Sequence, residues 1–487
     1  MKTLWEKEQA LEQSSGKGEQ GAVSKGSRES SVDRSWFYEF TAREDRELDH
    51  RLVPHDLLVN LAQAKALYAS AIYNEEGFVK VTEALQQAWQ GYEQGTFGLG
   101  EDDEDVHSAV EKWLIERAGA DGARIHTGRS RNDQVLADMR LYMKEQVCLL
   151  AEEWIGIASL LRRLALEQQG LFFAGLTHTQ PAMPHSADAW ASGYLDLLST
   201  DLAALKEAYR VIDQSPLGSA AGYGVPHIPV NRQLLATELG FGSVQEPVAA
   251  SQLSRGRFEL QMVDAMAYGA LTFNRMASDV VLFMHPDWAL VRLSEDQVSG
   301  SSIMPQKRNP DAWELIRSGY HDLQASRSRL AAIPSNLVSG YHRDLQKVKK
   351  GIMEAFDSSL MLARAVRYAL SGLTFDEQAC RTSLTPEVFA THEANRLVAG
   401  GMPFREAYRK VGAMVRDRTG AGVPIHPEAH ALSATYSHSG APGSGVSSHL
   451  AERISAMELW IRGEKKALQQ TRNRLLADVR LSGSSTE

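Results

Sequence analysis

Apolar residues recur at three- and four-residue steps along most of this chain, the spacing of helices that bury one face. Leu195, Leu198, Leu202, Leu205, Tyr209 and Ile212 make one such series. Val135 to Glu167 sustains a long helix with charges on one side, and a second long helix is expected from Gln346 to Leu370. No proline occurs from His55 through Gln180 and strongly alternating strand patterns are missing, so helices are the reading there. A charged helix from His449 to Arg480 ends the periodic part. The leucines, methionines and tryptophans of these segments are expected to be bundle core. No repeat of solenoid period is present.

The pattern breaks in a few places. Met1 to Leu11 reads as weakly helical, and Glu12 to Ser35 is a Ser/Gly/Glu/Lys mixture almost without apolar residues, expected to be disordered or loosely held. Folded structure is expected from Trp36. Ser215 to Pro229, S-P-L-G-S-A-A-G-Y-G-V-P-H-I-P, is too long for a simple turn, and no Gly-Lys-Ser/Thr follows it, which argues against a phosphate-cradling loop. A Gly/Ser/Pro-rich stretch runs from Ser437 to Ser448. The fold class read from this is all-α, a subunit with a long central helical bundle, divided as 1–35, 36–127, 128–379 and 380–487.

Composition narrows the function. The 487 residues carry 43% hydrophobic residues and a formal net charge of -9, which suits a soluble protein and offers no excess of positive charge for nucleic acid. Cys148 and Cys380 are the only cysteines, too few for a disulfide framework or a cysteine metal site, and they fit a reducing, cytoplasmic setting. No apolar run of about 18 residues is present for a membrane span. Met1 to Gln13 is charged and lacks the apolar centre of a signal peptide.

The densest chemistry lies in Gly300 to Asp311, G-S-S-I-M-P-Q-K-R-N-P-D. Glycine, serines and two prolines keep it out of a helix, while Lys307, Arg308 and Asn309 supply cations and amide donors. Asp311 is placed to cap the helix that follows, with Glu314 in its first turn. Such a loop suits proton abstraction beside a carboxylate, which needs a base and fixed positive charge at the developing dianion. Ser301 or Ser302 is a candidate base, and Lys307 and Asn309 are candidate partners of the oxyanion. Thr177-His178-Thr179-Gln180-Pro181 sets a histidine, suited to acid or base work, between hydroxyls and an amide. His126 to Gln134, H-T-G-R-S-R-N-D-Q, carries arginines that match carboxylates, although Ser130, Asn132 and Asp133 serve equally as helix caps. Tyr341 to Lys350, Y-H-R-D-L-Q-K-V-K-K, reads alone as an amphipathic turn at a helix start.

The Gly300 stretch resembles the signature of the fumarase/aspartase superfamily, G-S-S-x-M-P-x-K-x-N-P. H-T-G-R-S-R-N-D-Q-V at His126, T-H-T-Q-P at Thr177, P-L-G-S-A-A-G at Pro216, Y-x-x-D-L-Q-x-x-K at Tyr341 and G-M-P-F-R-E-A-Y at Gly401 make the chain similar, within it, to the argininosuccinate lyase family. The similarity covers Trp36 to roughly Val423. It implies cleavage of argininosuccinate to arginine and fumarate, without cofactor or metal. On that pattern Ser301 abstracts the proton, Lys307 and Asn309 stabilise the dianion, and His178, paired with Glu314, serves the leaving guanidinium; either Ser301 or His178 is the base. Ser130, Arg131, Asn132, Thr177 and Gln180 would hold substrate, with His107 nearby, and Tyr341, Gln346 and Lys349 would face its arginine-derived end. The resemblance further implies a homotetramer whose sites are each drawn from three chains. Glu12 to Ser35 has no counterpart in the family pattern, Arg308 stands where a second lysine is more frequent, and Leu253-Ser254-Arg255-Gly256-Arg257-Phe258 departs from S-E-R-D-F, so no contacts are carried over from that stretch. Adenylosuccinate lyase and a non-catalytic structural protein on the same fold are the competing readings.

Overall fold

The computed structural model describes residues 35–100, 103–416 and 432–477. The expectations for residues 1–34, and for the end of the last helix beyond residue 477, lie outside the described residues. Ser35–Tyr38 is a helical turn running into a π-helical turn, Glu39–Arg43, closed by the Thr41 hydroxyl donating to the Phe37 carbonyl at 2.8 Å. Glu44 onward forms one compact unit.

Helices of ten residues or more are numbered in chain order. In the first part they are α1 (Val53–Ala69), α2 (Glu75–Glu93) and α3 (Val106–Ala118). A bundle follows of α4 (Arg131–Glu167), α5 (Ala187–Ile212), α6 (Arg257–Phe283), α7 (Asp311–Ala332) and α8 (Lys347–Ser371). The last part holds α9 (Ala390–Ala399), α10 (Phe404–Arg416) and α11 (Ser448–Ala477).

The residues at the start of α4 explain its sharp beginning. Ser130 is the cap, and the Asp133 carboxylate accepts from the Ser130 amide at 2.9 Å, a reciprocal capping box. The other Asp133 oxygen accepts from the Gly218 and Ala220 amides at 3.0 and 2.8 Å, which anchors the proline- and glycine-rich loop to the helix start. Gly218 holds φ +80°, and a Cβ there would lie 2.7 Å from the Arg232 side chain.

The leucine series of α5 is buried as its spacing requires, at 0% exposure for Leu195, Leu198, Leu202 and Leu205. Trp154 of α4 is buried edge-on to Phe273 of α6. Its indole rests where a Cβ on Gly269 would stand, 2.4 Å away. Gly269→Ala is therefore expected to destabilise the fold by about 1–3 kcal/mol through overpacking. Chemical denaturation would read the change.

Contacts at the helix ends set their directions. Near its start α4 meets the segment before α6, where the Arg140 guanidinium donates to Ser254 Oγ at 2.8 Å. At their other ends, Phe173, past α4, packs on Phe283, the last residue of α6, at 5.6 Å and stacks on Phe375, just past α8, at 5.4 Å. Thus α4, α6 and α8 run one way. Between them α7 runs back, because Pro334 after its end packs on Gly256 before α6.

The all-helical expectation for His55 to Gln180 fails at one place. Phe172–Thr177 (β1) and Gln180–Ser186 (β2) form an antiparallel hairpin. Phe172, Phe173 and Ala174 are all buried, so the outward polar positions that mark a half-exposed strand are missing. Its two-residue turn is His178-Thr179, with φ +53° and +60°, in place of the glycine or asparagine that usually signals such a turn. Two short strand pairs, Gln214–Ser215 with Ser243–Val244 and Val291–Arg292 with Thr374–Phe375, complete the described strands.

Candidate active site

The residues singled out in the sequence fall into three groups. The first is a pocket at the beginnings of α3, α4 and α8, where His107, Arg131, Asn132, Tyr341, Gln346 and Lys349 line one cavity although they span some 240 positions of sequence. Ser130 sits at its edge as the cap of α4, its hydroxyl accepting from the Asn132 amide at 3.2 Å and side chain at 3.1 Å. Helix beginnings concentrate partial positive charge, so substrate carboxylates suit this end of the bundle.

Several charges in the pocket are paired. Arg131 donates to Asp105 at 2.8 Å and to the Ser108 hydroxyl at 3.1 Å. Lys349 bridges Asp45, at 2.8 Å, and Asp49, which it also contacts. Burial works against the Lys349 ammonium, yet the two carboxylates raise it above its ordinary value. Lys349→Met would strand Asp49, at 1% exposure, without its cation. We expect a stability loss of about 3 kcal/mol on chemical denaturation, since unpaired buried charge costs more than the pair is worth.

Sequence reasoning missed part of this pocket. Arg255 and Glu259 line it, together with Asp45, Asp49 and Asp105. Leu253 to Phe258 departs from the family pattern, but the structure puts its Arg255 guanidinium 4.9 Å from the Tyr341 ring centre. Burial lowers Arg255, and its Nη1 has no hydrogen-bond partner. The signal available in the sequence was an arginine beside a helix-starting glycine, too common to stand out.

Asp56, His107 and Asp138 bring three metal-ligand atoms within 4.8 Å of one another. His107 Nδ1 is already taken by a 2.9 Å hydrogen bond with Asp56, and Gln134 Nε2 donates to the same Asp56 oxygen at 2.6 Å. The trio is an ion-pair network as built.

The second group is the tip of the β1–β2 hairpin. Thr177, His178 and Gln180 are all exposed there. Thr179 holds a left-handed backbone that a β-branched residue rarely adopts, and its hydroxyl donates to the His178 carbonyl at 2.6 Å. Strain held at an exposed tip marks a place where a backbone shape is kept for use.

The third group is the 299–311 loop. Ser299 and Asn309 exchange backbone hydrogen bonds at 3.2 and 2.9 Å and close its base. Ser301 is half-buried, with its Oγ 3.4 Å from the Ile303 amide. Lys307 and Glu314 line a cleft with Met284 and His285 at the end of α6. The expectation that Asp311 caps α7 is corrected: Pro310 holds the cap position, and the Asp311 carboxylate instead accepts from the Ser299 hydroxyl. A proline at the cap leaves Asp311 with helical backbone, and the loop base captures its side chain.

The pocket does not meet the other two groups within one chain. The pocket opens at the start of α4 and the hairpin follows its end, 37 residues on, about 55 Å of helix. The 299–311 loop lies beyond the end of α6, whose 27 residues make about 40 Å. Among the described residues no hydrogen bond or ion pair joins His178 to Glu314, which instead lies 4.0 Å from Arg317.

Comparison with known proteins identifies the family. Residues 32–322 match the protein family described as "Lyase", which places the chain among the helical lyases of the fumarase/aspartase superfamily. An argininosuccinate lyase of Thermotoga neapolitana is 39% identical over 373 residues, covering 76% of this chain and 93% of its own length. One from Sorangium cellulosum is 39% identical over 415 residues, 85% of this chain and 95% of that protein. The chain belongs to the argininosuccinate lyase family. Among solved structures, an EDDS lyase in complex with formate aligns with a TM-score of 0.75 at 18% identity, over 93% of this chain and 96% of that one. A class II fumarase from Schistosoma mansoni aligns at 0.67 with 14% identity, over 86% and 92%. These two similarities speak for the fold. None of the helices described here is long and apolar enough to cross a membrane.

Proposed function

We propose that this protein cleaves argininosuccinate to arginine and fumarate, working in the cytoplasm as a homotetramer whose active sites are each shared among three subunits. The observation that carries this reading is the split site: a pocket lined by charged groups at one end of the bundle, and the candidate acid–base groups at the other. Association of copies with opposed bundles would bring one chain's pocket to a second chain's hairpin and a third chain's loop. In this reading the subunit divides as 36–127, 128–379 and 380–487 after its N-terminal segment.

The chemistry follows from the groups. The C–H bond beside a substrate carboxylate is weakly acidic, and loss of its proton loads negative charge onto that carboxylate. Ser301 would take the proton, with Lys307 and Asn309 facing the dianion. Collapse of the dianion forms the fumarate double bond and breaks the C–N bond, and His178, oriented by Glu314 of another chain, would return a proton to the leaving guanidinium nitrogen. The substrate carboxylate is itself the electron sink, so no cofactor enters. Ser130, Arg131, Asn132, Thr177 and Gln180 would hold carboxylate and amino groups, with His107, while Tyr341, Gln346 and Lys349 would meet the arginine-derived part. The pocket's mixture of acids and bases suits a substrate that carries both signs of charge.

Ultraviolet absorbance of fumarate's conjugated double bond tests the reading. Purified protein should produce the rise with argininosuccinate and not with adenylosuccinate. Absence of reaction with either substrate in a folded tetramer would favour a structural role.

A further inference from the structure

The wall behind His107 is built from more polar groups than packing requires. His107 Nδ1 lies 2.9 Å from Asp56 and 3.7 Å from Asp138, and all three side chains are buried. Asp56 accepts again from Gln134 Nε2 at 2.6 Å and, on its other oxygen, from Asn60 Nδ2 at 3.0 Å. Asn60 Oδ1 in turn accepts from Arg129 at 2.7 Å. Two residues of the H-T-G-R-S-R-N-D-Q stretch therefore support Asp56, Gln134 directly and Arg129 through Asn60. Asp138 differs: neither of its oxygens has a hydrogen-bond donor. Burial and the charge of Asp56 push its carboxyl upward, toward the neutral form.

We propose that Asp56 is a positioning residue that holds His107 as a cation, Nδ1 turned inward and Nε2 presented to the pocket, where the ring donates to a substrate carboxylate. The geometry points to this because an acceptor-only carboxylate with three donors fixes both the orientation and the charge of an imidazole that bonds to it. His107 lines the cavity, so with Nδ1 engaged the outer nitrogen is the one left for a ligand. The part concerning substrate rests on the proposed lyase function; the part concerning the ring's charge does not.

The groups facing His107 come from several elements. Asp56 stands on α1, Asp49 before it, Asp105 at the cap of α3 and Asp138 on α4, against His126, Arg129, Arg131 and Lys349. Burial opposes the charge on the ring, but Asp56, then Asp105 and Asp138, outweigh it and push His107 up to about 9. A raised histidine is charged below that value. Help to a carboxylate is thus complete at neutral pH and disappears as pH rises through about 9. Without Asp56 the loss would move down toward the ordinary imidazole value of about 6.5.

Histidine hydrogen–deuterium exchange on the full-length protein, read by mass spectrometry at the His107 ring carbon across pH, tests this without substrate. The wild-type midpoint should lie near 9. Asp56→Asn should lower it by more than about one unit, and Asp138→Asn should lower it less, because the Asp138 carboxyl is already pushed toward its neutral form. With argininosuccinate at pH 8, Asp56→Asn should raise KM about tenfold with kcat little altered, and Asp56→Glu should restore much of the loss. A wild-type midpoint near the ordinary value, or one that Asp56→Asn does not move, would overturn the proposal whatever the activity. If the wild-type protein failed to turn over argininosuccinate, the lyase reading would fall, while the exchange data would still decide whether Asp56 sets the charge of His107.

Discussion

Ser301→Ala should lower kcat for argininosuccinate by about a thousandfold, within the range that a positioned general base contributes, while KM changes little. The reasoning rests on where the side chain sits. Its hydroxyl has one weak contact, the Ile303 amide at 3.4 Å, inside a loop whose base is held by backbone bonds between Ser299 and Asn309. Removing that oxygen therefore leaves the loop's fastening intact, and a large loss would report on chemistry. Steady-state kinetics with thermal unfolding as a control separates the two. Full activity in Ser301→Ala would pass the role of base to His178, which the strained hairpin turn holds at an exposed tip.

Co-expression of Asn132→Ala with Ser301→Ala, each nearly inactive alone, should restore about a quarter of wild-type activity if subunits associate at random and each site takes its pocket and loop from different chains. Asn132 lies at the start of α4 and Ser301 beyond the end of α6, so the proposed site takes the two from different subunits. A hybrid oligomer contains some sites with an intact pocket from one parent and an intact loop from the other. The control is a pair damaged in the same group, Ser301→Ala with Lys307→Met, which should recover nothing. A mixture of Asn132→Ala and Ser301→Ala as inactive as its parents would mean that each chain builds its own site, and the shared-site proposal would fall.

Exposed apolar side chains on the bundle agree with association. Tyr268 and Leu271 on α6, Leu315 on α7, and Met361 and Tyr368 on α8 are at least 40% exposed. Exposed apolar groups of this kind are available for copies to cover.

The sequence by itself determined most of the helices and the beginning of α4. Three-and-four spacing commits Leu195 to Ile212 to one buried face, and Ser130 with Asp133 closes a helix start through neighbours only three positions apart. Such features depend on bonds within a few residues, so local order contains them. Only the tertiary structure decided the rest. The β1–β2 hairpin turns through His178 and Thr179 without a glycine, because burial of Phe172 and Phe173 holds a conformation that local preference disfavours. Arg255 enters the pocket through packing against Tyr341, 86 positions later, and Asp56 reaches His107 from a different helix. Spacing in the chain contains no record of such meetings. The distance between pocket and loop is likewise a property of helix length and direction, which no local spacing records.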